Sequence, residues 1–259
     1  MTRLVLEGVC KSFGGLQALH DVSFTVPPGQ VTSLIGPNGA GKTTCFNLIT
    51  GVFAPDRGSV HLGDRRIDGL LPHQVAALGV ARTFQHPRLF REMTVLENVM
   101  VGWHRRRRGG YLAAMLGLRA AREDAARARQ AALECIERVG LMPWAGQRAA
   151  ALSAGNQKLV ELARALAGDP SLLLLDEPAA GLNDQETETL ADLLTRLGDG
   201  NMTILAVEHN MDFVMTVSAR VVVLNHGRKI AEGTPGEVQN DPTVLEAYLG
   251  APDLLESIR

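Results

Sequence analysis

Short apolar runs separated by turn residues fill the first part of the chain. Residues 4–9, 22–26 and 60–62 are such runs; the second ends at Pro-Pro-Gly and the third at Gly-Asp, so each predicts a strand. We expect these strands to form a mainly antiparallel layer. Residues 31–35 predict a further short, buried strand, and the pattern after it predicts a helix that begins at Thr44.

From about residue 90 to residue 150 the pattern becomes helical. Thr94 and Glu97 have the spacing of a capping box, which predicts a helix start. A longer helix is predicted over residues 119–139, with one apolar stripe facing a core. That stripe consists of Ala125, Ala128, Ala132, Ile136 and Val139.

After residue 150 strands and helices alternate again. Residues 172–175 are four consecutive leucines, as expected of a parallel strand that is buried on both faces. Residues 202–207 and 221–224 are similar runs, and the latter turns through Asn-His-Gly into residues 229–231. Because helical stretches separate these runs, the pattern favours an α/β sheet.

A glycine-rich stretch lies between the strand at 31–35 and the helix after it. It fits the pattern G-x-x-x-x-G-K-[ST], and we call it the phosphate loop. Backbone N–H groups of such a loop point at phosphate oxygens, the lysine reaches the β- and γ-phosphates, and the hydroxyl holds Mg²⁺. The sequence therefore predicts nucleoside triphosphate binding. The phosphate loop comprises Gly36, Pro37, Asn38, Gly39, Ala40, Gly41, Lys42, Thr43 and Thr44.

Two further stretches of the chain carry residues suited to catalysis and anion binding. Asp176 and Glu177 follow the leucine strand, where the aspartate can bind Mg²⁺ through water and the glutamate can act as general base. Upstream, Ser153 predicts a helix N-cap and Gly155 permits close approach, which makes a second anion-binding helix terminus. Phe13, in a glycine-rich stretch that we expect just outside the antiparallel layer, is a candidate either for stacking on a base or for the core.

Composition and charge narrow the class of protein to which the chain can belong. In the 259 residues, 46% are hydrophobic and 21% charged, which is typical of a globular protein with a substantial core. The net charge of −2 argues against general nucleic-acid binding. The run of arginines at 105–108 is interpreted as a solvated loop, with contact to anionic lipid as the alternative. Three scattered cysteines, no apolar run of about 20 residues and no signal peptide predict a cytosolic protein.

These motifs occur in the order found in the ATP-binding cassette ATPases, which the chain resembles over essentially its whole length. The matching features are the phosphate loop, Gln85, the signature stretch at residues 152–157, the Asp176-Glu177 pair and His209. The resemblance implies a P-loop nucleotide-binding domain of the α/β class, with an antiparallel β layer and an inserted α-helical lobe. It also implies a head-to-tail dimer that holds two ATP molecules between its subunits.

The resemblance further implies a role for each site residue. The implied catalytic residues are Lys42, Glu177 and His209. The residues implied to bind Mg²⁺ are Thr43, Gln85 and Asp176. ATP would contact the phosphate loop and Phe13 of one subunit, and the signature residues of the other. Those signature residues are Ser153, Ala154 and Gly155.

The domain division expected from these motifs has three parts. Residues 1–89 hold the first part of the core with the antiparallel layer, residues 90–150 the helical lobe, and residues 151–259 the signature helix, the rest of the core and a helical tail. Two positions depart from the family pattern: Ala154 replaces the usual glycine, and Asn183 stands where the family usually has aspartate. Hydrolysis is expected to survive both.

Within the family, three features resemble the ATP-binding subunit of a branched-chain amino acid importer. They are the helical insert at about 103–144, the stretch 178–183, and the ending from 233 to 250. The implied partners are two permeases, a second ATPase subunit and, indirectly, a solute-binding protein, on the cytoplasmic face of the membrane. Import of urea or another small solute stays open. So does a soluble ABC ATPase, although the insert is short for one.

Two other classes fit less well. A small GTPase would need an Asn-Lys-x-Asp guanine-reading motif, which the sequence lacks. A non-hydrolysing regulatory module would be expected to have lost Glu177 or His209.

Overall fold

The computed structural model describes residues 2–85, 87–106, 119–200 and 202–249. Residue contacts divide the chain into two units, Met1–Arg82 with Ser171–Arg259, and Thr83–Pro170. The strands are β1 (Leu4–Phe13), β2 (Leu16–Val26), β3 (Val31–Ile35), β4 (Arg57–Leu62), β5 (Arg65–Arg66), β6 (Val80–Arg82), β7 (Leu172–Asp176), β8 (Thr203–Val207), β9 (Arg220–Asn225) and β10 (Arg228–Gly233). The α-helices are α1 (Lys42–Ile49), α2 (Pro72–Ala77), α3 (Val95–Gly102), α4 (Arg119–Arg138), α5 (Ala154–Ala167), α6 (Asp184–Asp199), α7 (Met211–Val217), α8 (Pro235–Gln239) and α9 (Pro242–Leu249).

The first unit contains two sheets. Strands β2, β1, β4 and β5 form an antiparallel sheet in that order, which confirms the predicted layer. The second sheet has the order β10-β9-β3-β8-β7-β6. Its strands from β9 to β6 are parallel and β10 pairs antiparallel with β9. The mixed α/β architecture is therefore the one expected from the sequence.

Apolar side chains cover the parallel sheet on both faces. Helix α1 packs in one core cluster with Leu34, Leu174 and Leu205 of this sheet and with β1 residues of the antiparallel sheet. Ile35 and Val223 belong to a second cluster with α7, α8 and α9. Burial on both faces explains why these strands read as continuous apolar runs instead of alternating ones.

The second unit is built on α3, α4 and α5, which pack against one another. Thr94 accepts a hydrogen bond from the Glu97 backbone N–H and Glu97 accepts one from that of Thr94, as the capping box predicts. At Gly102, an added Cβ would lie 1.9 Å from the Arg164 carbonyl oxygen, so α3 and α5 approach closely. The sequence-based division placed α5 with the last segment, but its contacts group it with these helices.

Two local expectations differ from the structure. Ala125 is exposed, whereas the other four members of the predicted stripe are buried as expected, and Asp124 and Cys135 are buried as well. Phe13 was expected just outside the antiparallel layer, but it is the last residue of β1 and pairs with Leu16. Arg107 and Arg108 of the arginine run lie outside the described residues. In the part of the chain that the structure describes, no helix combines the length and apolar character that a membrane span requires.

Candidate nucleotide-binding site

The phosphate loop connects β3 to α1, and two of its glycines are sterically required. Gly36 has φ 147°, and a Cβ there would lie 2.0 Å from the Leu224 carbonyl oxygen. Gly41, the N-cap of α1, has φ 105°, and a Cβ would lie 2.7 Å from the Ala18 carbonyl oxygen. The backbone therefore passes close to neighbouring strands in conformations that favour glycine, and α1 begins directly behind it.

Lys42 lies in the first turn of α1 and folds back onto the loop. Its Nζ donates hydrogen bonds to the carbonyl oxygens of Gly36, at 2.6 Å, and Pro37, at 3.0 Å. Burial lowers the pKa of Lys42, while the carboxylates of Glu177 and Asp176 act in the opposite direction. The ammonium is thus held at the loop and lies in the field of both carboxylates.

Asp176 ends β7 and is held by an arginine. Arg82 Nη2 donates to Asp176 Oδ2 at 2.8 Å, while Arg82 Nη1 donates to Asn47 Oδ1 at 2.7 Å. Arg82 thereby ties β6 and β7 to α1. Both side chains of the ion pair are mostly buried, at 12% and 14% exposure, so the position of the carboxylate is well determined.

Glu177 and His209 are in direct contact. The imidazole Nε2 of His209 lies 2.9 Å from Glu177 Oε1. Parallel pairing of β7 with β8 sets Asp176 opposite Val207, which brings the residues after both strands together at one edge of the sheet. Glu177 has φ 50°, an uncommon backbone conformation for a non-glycine residue that clusters at functional sites.

Phe13 lies outside the core. Its side chain is 39% exposed and contacts Phe53 edge-to-face, with ring centroids 5.1 Å apart. Lys11 Nζ lies 5.5 Å from the centroid of the Phe13 ring. The surface position argues against the predicted core role and leaves the ring available for the other predicted role, stacking on a base.

The remaining predicted site residues lie in the second unit. Ser153 is the N-cap of α5 and accepts a hydrogen bond from the Asn156 backbone N–H at 3.2 Å. Ser153 and Ala154 are exposed, and Gly155 is buried. Gln85 is exposed in the segment that leads from β6 toward α3. The structure thus brings together the phosphate loop, the Asp176-Glu177 pair and His209 within the first unit, and places the signature stretch and Gln85 in the second.

Comparison with known proteins decides the family. The ABC transporter family matches residues 19–180. The chain belongs to the ATP-binding cassette family. A second family, described as branched-chain amino acid ATP-binding cassette transporter, matches residues 228–253. The high-affinity branched-chain amino acid transport ATP-binding protein LivG of Salmonella typhimurium is 45% identical over 248 residues, 95% of this chain and 97% of LivG.

Solved structures agree with this assignment. The ADP conformation of an ATP-binding cassette of an ABC transporter matches 97% of this ABC ATPase and 100% of that chain, with TM-score 0.84 and 34% identity. A dimeric bacterial ABC transporter cassette matches 90% of this chain and 98% of that one, with TM-score 0.76 and 27% identity. The fold is therefore that of a nucleotide-binding cassette.

Sequence reasoning missed the buried charges of this ABC ATPase that hold the segment around Gln85. In the second unit, Glu161 of α5 accepts the backbone N–H groups of Phe84 and Arg88, each at 3.3 Å, on either side of Gln85. Arg164 donates to Glu161 at 3.2 Å and to the Arg88 carbonyl at 2.6 Å. Burial raises the pKa of Glu161, although these amides and guanidinium groups favour its charged form. In the sequence Glu161 and Arg164 form only an i,i+3 charge pair, a pattern that exposed helix faces also show, so their burial was not predictable.

Proposed function

We propose that this ABC ATPase powers the import of branched-chain amino acids by binding and hydrolysing ATP at the cytoplasmic face of a membrane. The observation that carries the hydrolytic part is the Glu177–His209 contact of 2.9 Å at the sheet edge beside the phosphate loop. The choice of solute is supported by the match at residues 228–253 and by the similarity to LivG.

Within this proposal, Lys42 neutralises the β- and γ-phosphates and the phosphate-loop amides hold them, with the N-terminus of α1 adding partial positive charge. Glu177 accepts a proton from the attacking water, and His209 orients it and contacts the γ-phosphate. Phe13 stacks on the adenine. The electrostatic influence of Glu177 and Asp176 on Lys42 supports these assignments.

Mg²⁺ fits the donors that the first unit offers. The exposed hydroxyl of Thr43 and the carboxylate of Asp176 are hard oxygen ligands, which Mg²⁺ prefers together with phosphate oxygens and water. Arg82 engages one carboxylate oxygen of Asp176 and so orients the group. Gln85 is the third proposed contact of the ion. Bound Mg²⁺ would neutralise charge on the phosphates.

The signature stretch is proposed to act on the ATP of a second ATPase subunit. Its capped helix start, with Ser153 and Ala154 exposed, presents backbone N–H groups and a positive dipole to an anion. The similar fold of a dimeric cassette supports such an arrangement. Ala154 adds one methyl group relative to glycine, which we expect the contact to tolerate.

The proposed partners are two permeases, the second ATPase subunit and, indirectly, a solute-binding protein; nucleic acid is not among them. The test is ATPase activity in liposomes with and without permeases and loaded binding protein. We expect low basal activity that rises on reconstitution. A Gln85→Ala substitution should weaken this stimulation more than it weakens ATP binding. Full activity of the isolated protein, with neither binding to nor stimulation by permeases, would contradict the proposal.

A further inference from the structure

Glu208 is a buried carboxylate next to the Glu177–His209 pair. It directly follows β8 and is 2% exposed. Its Oε1 accepts the backbone N–H of Ala179 at 2.7 Å, and its Oε2 accepts the backbone N–H of His209 at 3.0 Å. Burying a carboxylate is costly unless hydrogen bonds compensate, so these two bonds are strong constraints on the segments that donate them.

The two donors belong to the segments that carry the catalytic pair. Ala179 lies two residues after Glu177, and the Ala180 N–H donates to the Glu177 carbonyl at 3.2 Å, which makes a tight turn. The Glu177 N–H donates to the Val207 carbonyl at 2.9 Å. Two hydrogen bonds therefore join this turn to the end of β8. The Glu177 N–H bonds to Val207, and the Ala179 N–H bonds to the side chain of Glu208.

This arrangement explains how Glu177 keeps its backbone conformation. A φ of 50° at a glutamate persists only where surrounding structure fixes it. The bond from Ala179 to Glu208 fixes the residue that follows the Glu177-Pro178 step, while the bond from the His209 N–H fixes the start of the segment that carries the imidazole. One carboxylate thus sets the position of both members of the pair.

We propose that Glu208 is a positioning residue for ATP hydrolysis, holding Glu177 and His209 in their 2.9 Å contact. The inference rests on the proposed function, because it assumes that Glu177 and His209 act on the attacking water. The phosphates are held by the phosphate loop in the proposed function, so Glu208 governs the chemical step and leaves ATP binding to the loop.

The primary test is Glu208→Gln, measured as kcat, KM and ATP dissociation constant of the full chain. An amide can accept only one of the two N–H groups, because its NH₂ repels the other donor. We expect kcat to fall roughly 10- to 100-fold, the scale of a misplacement of about 1 Å, with ATP affinity within about two-fold. Unchanged kcat, or an equal loss in affinity, overturns the proposal.

A control and a double variant separate positioning from general destabilisation. Leu194→Val removes one buried methylene from α6, and we expect it to leave kcat within about two-fold while lowering the melting temperature. Because part of the effect of Glu208 passes through His209, the loss of kcat in Glu208→Gln combined with His209→Ala should be smaller than the product of the two single losses. Fully multiplicative losses, or a comparable loss of kcat in the Leu194 variant, contradict the positioning role.

Two further measurements keep the test decisive. Glu177→Gln is assayed in parallel: if it hydrolyses ATP at the wild-type rate, the proposed function fails, whereas an inactive Glu177→Gln beside a fully active Glu208→Gln overturns only this inference. Should Glu208→Gln not fold, hydrogen exchange of the wild-type protein replaces it. Protected amides at Ala179 and His209 are expected, and exchange of either at the rate of an exposed loop overturns the inference.

Discussion

Replacing Glu177 with glutamine tests the general-base role with little structural disturbance. The two side chains have the same shape, and the amide can still form a hydrogen bond with His209 Nε2, which lies 2.9 Å from the present carboxylate oxygen. Glu177 is 18% exposed, so no deeply buried charge is removed. We therefore expect the free energy of unfolding to change by about 1 kcal/mol or less.

The catalytic effect should be much larger. General bases contribute about 10²- to 10⁴-fold to rate, which corresponds to roughly 2.7 to 5.4 kcal/mol in activation free energy. Phosphate release should fall by that factor, while titration calorimetry should give the wild-type ATP affinity. Because hydrolysis is blocked after binding, the closed dimer should accumulate with Mg·ATP, which light scattering detects.

Glu188→Gln is the matched control, since it makes the same chemical change at an exposed position of α6. It should hydrolyse ATP at the wild-type rate. If Glu177→Gln also retains a rate within a few-fold of wild type, Glu177 is not the general base and the proposed chemistry of the site is wrong.

Three further predictions concern the other charged groups. Lys42→Ala should abolish tight ATP binding, because the polyphosphate loses its main side-chain cation; equal affinities by calorimetry would refute this. His209→Ala should lower kcat with ATP affinity retained, and an unaltered turnover would remove the histidine from the mechanism. Because burial raises the pKa of Glu161, the folded state binds its proton more tightly than the unfolded state. Wild-type stability relative to Glu161→Gln should therefore fall as pH rises above about 4.3 and level off above the folded pKa; a difference that is constant from pH 4 to 8 in urea titrations would contradict it.

The sequence predicted those parts of the molecule that carry a periodic or motif signal. The leucine run of β7 is buried on both faces as expected, and the phosphate loop lies between β3 and α1. Strands β5 and β6, with two and three residues, were missed because they are too short to show a period. Ala125 was placed on the buried stripe of α4 because alanine is compatible with either face, and only the packing of the helices decides between them.

The supporting charges of the site were not predictable in the same way. Arg82 bonds Asn47 and Asp176, which are 35 and 94 residues away. Glu208 bonds Ala179, 29 residues earlier in the chain. No local pattern encodes such pairs, because they arise only when parallel strands bring their ends together. A charged residue at the end of an apolar run marks a candidate, and tertiary structure supplies the partner.

Leucine uptake by reconstituted vesicles tests the central claim most directly. Proteoliposomes would contain the permeases, this chain and its ATPase partner, with Mg·ATP enclosed and loaded binding protein outside. The account predicts ATP-dependent accumulation of leucine that the Glu177→Gln variant of this chain abolishes or strongly slows. Equal leucine accumulation with the variant would contradict the account. So would a wild-type transporter that accumulates no leucine although another solute stimulates its ATP hydrolysis.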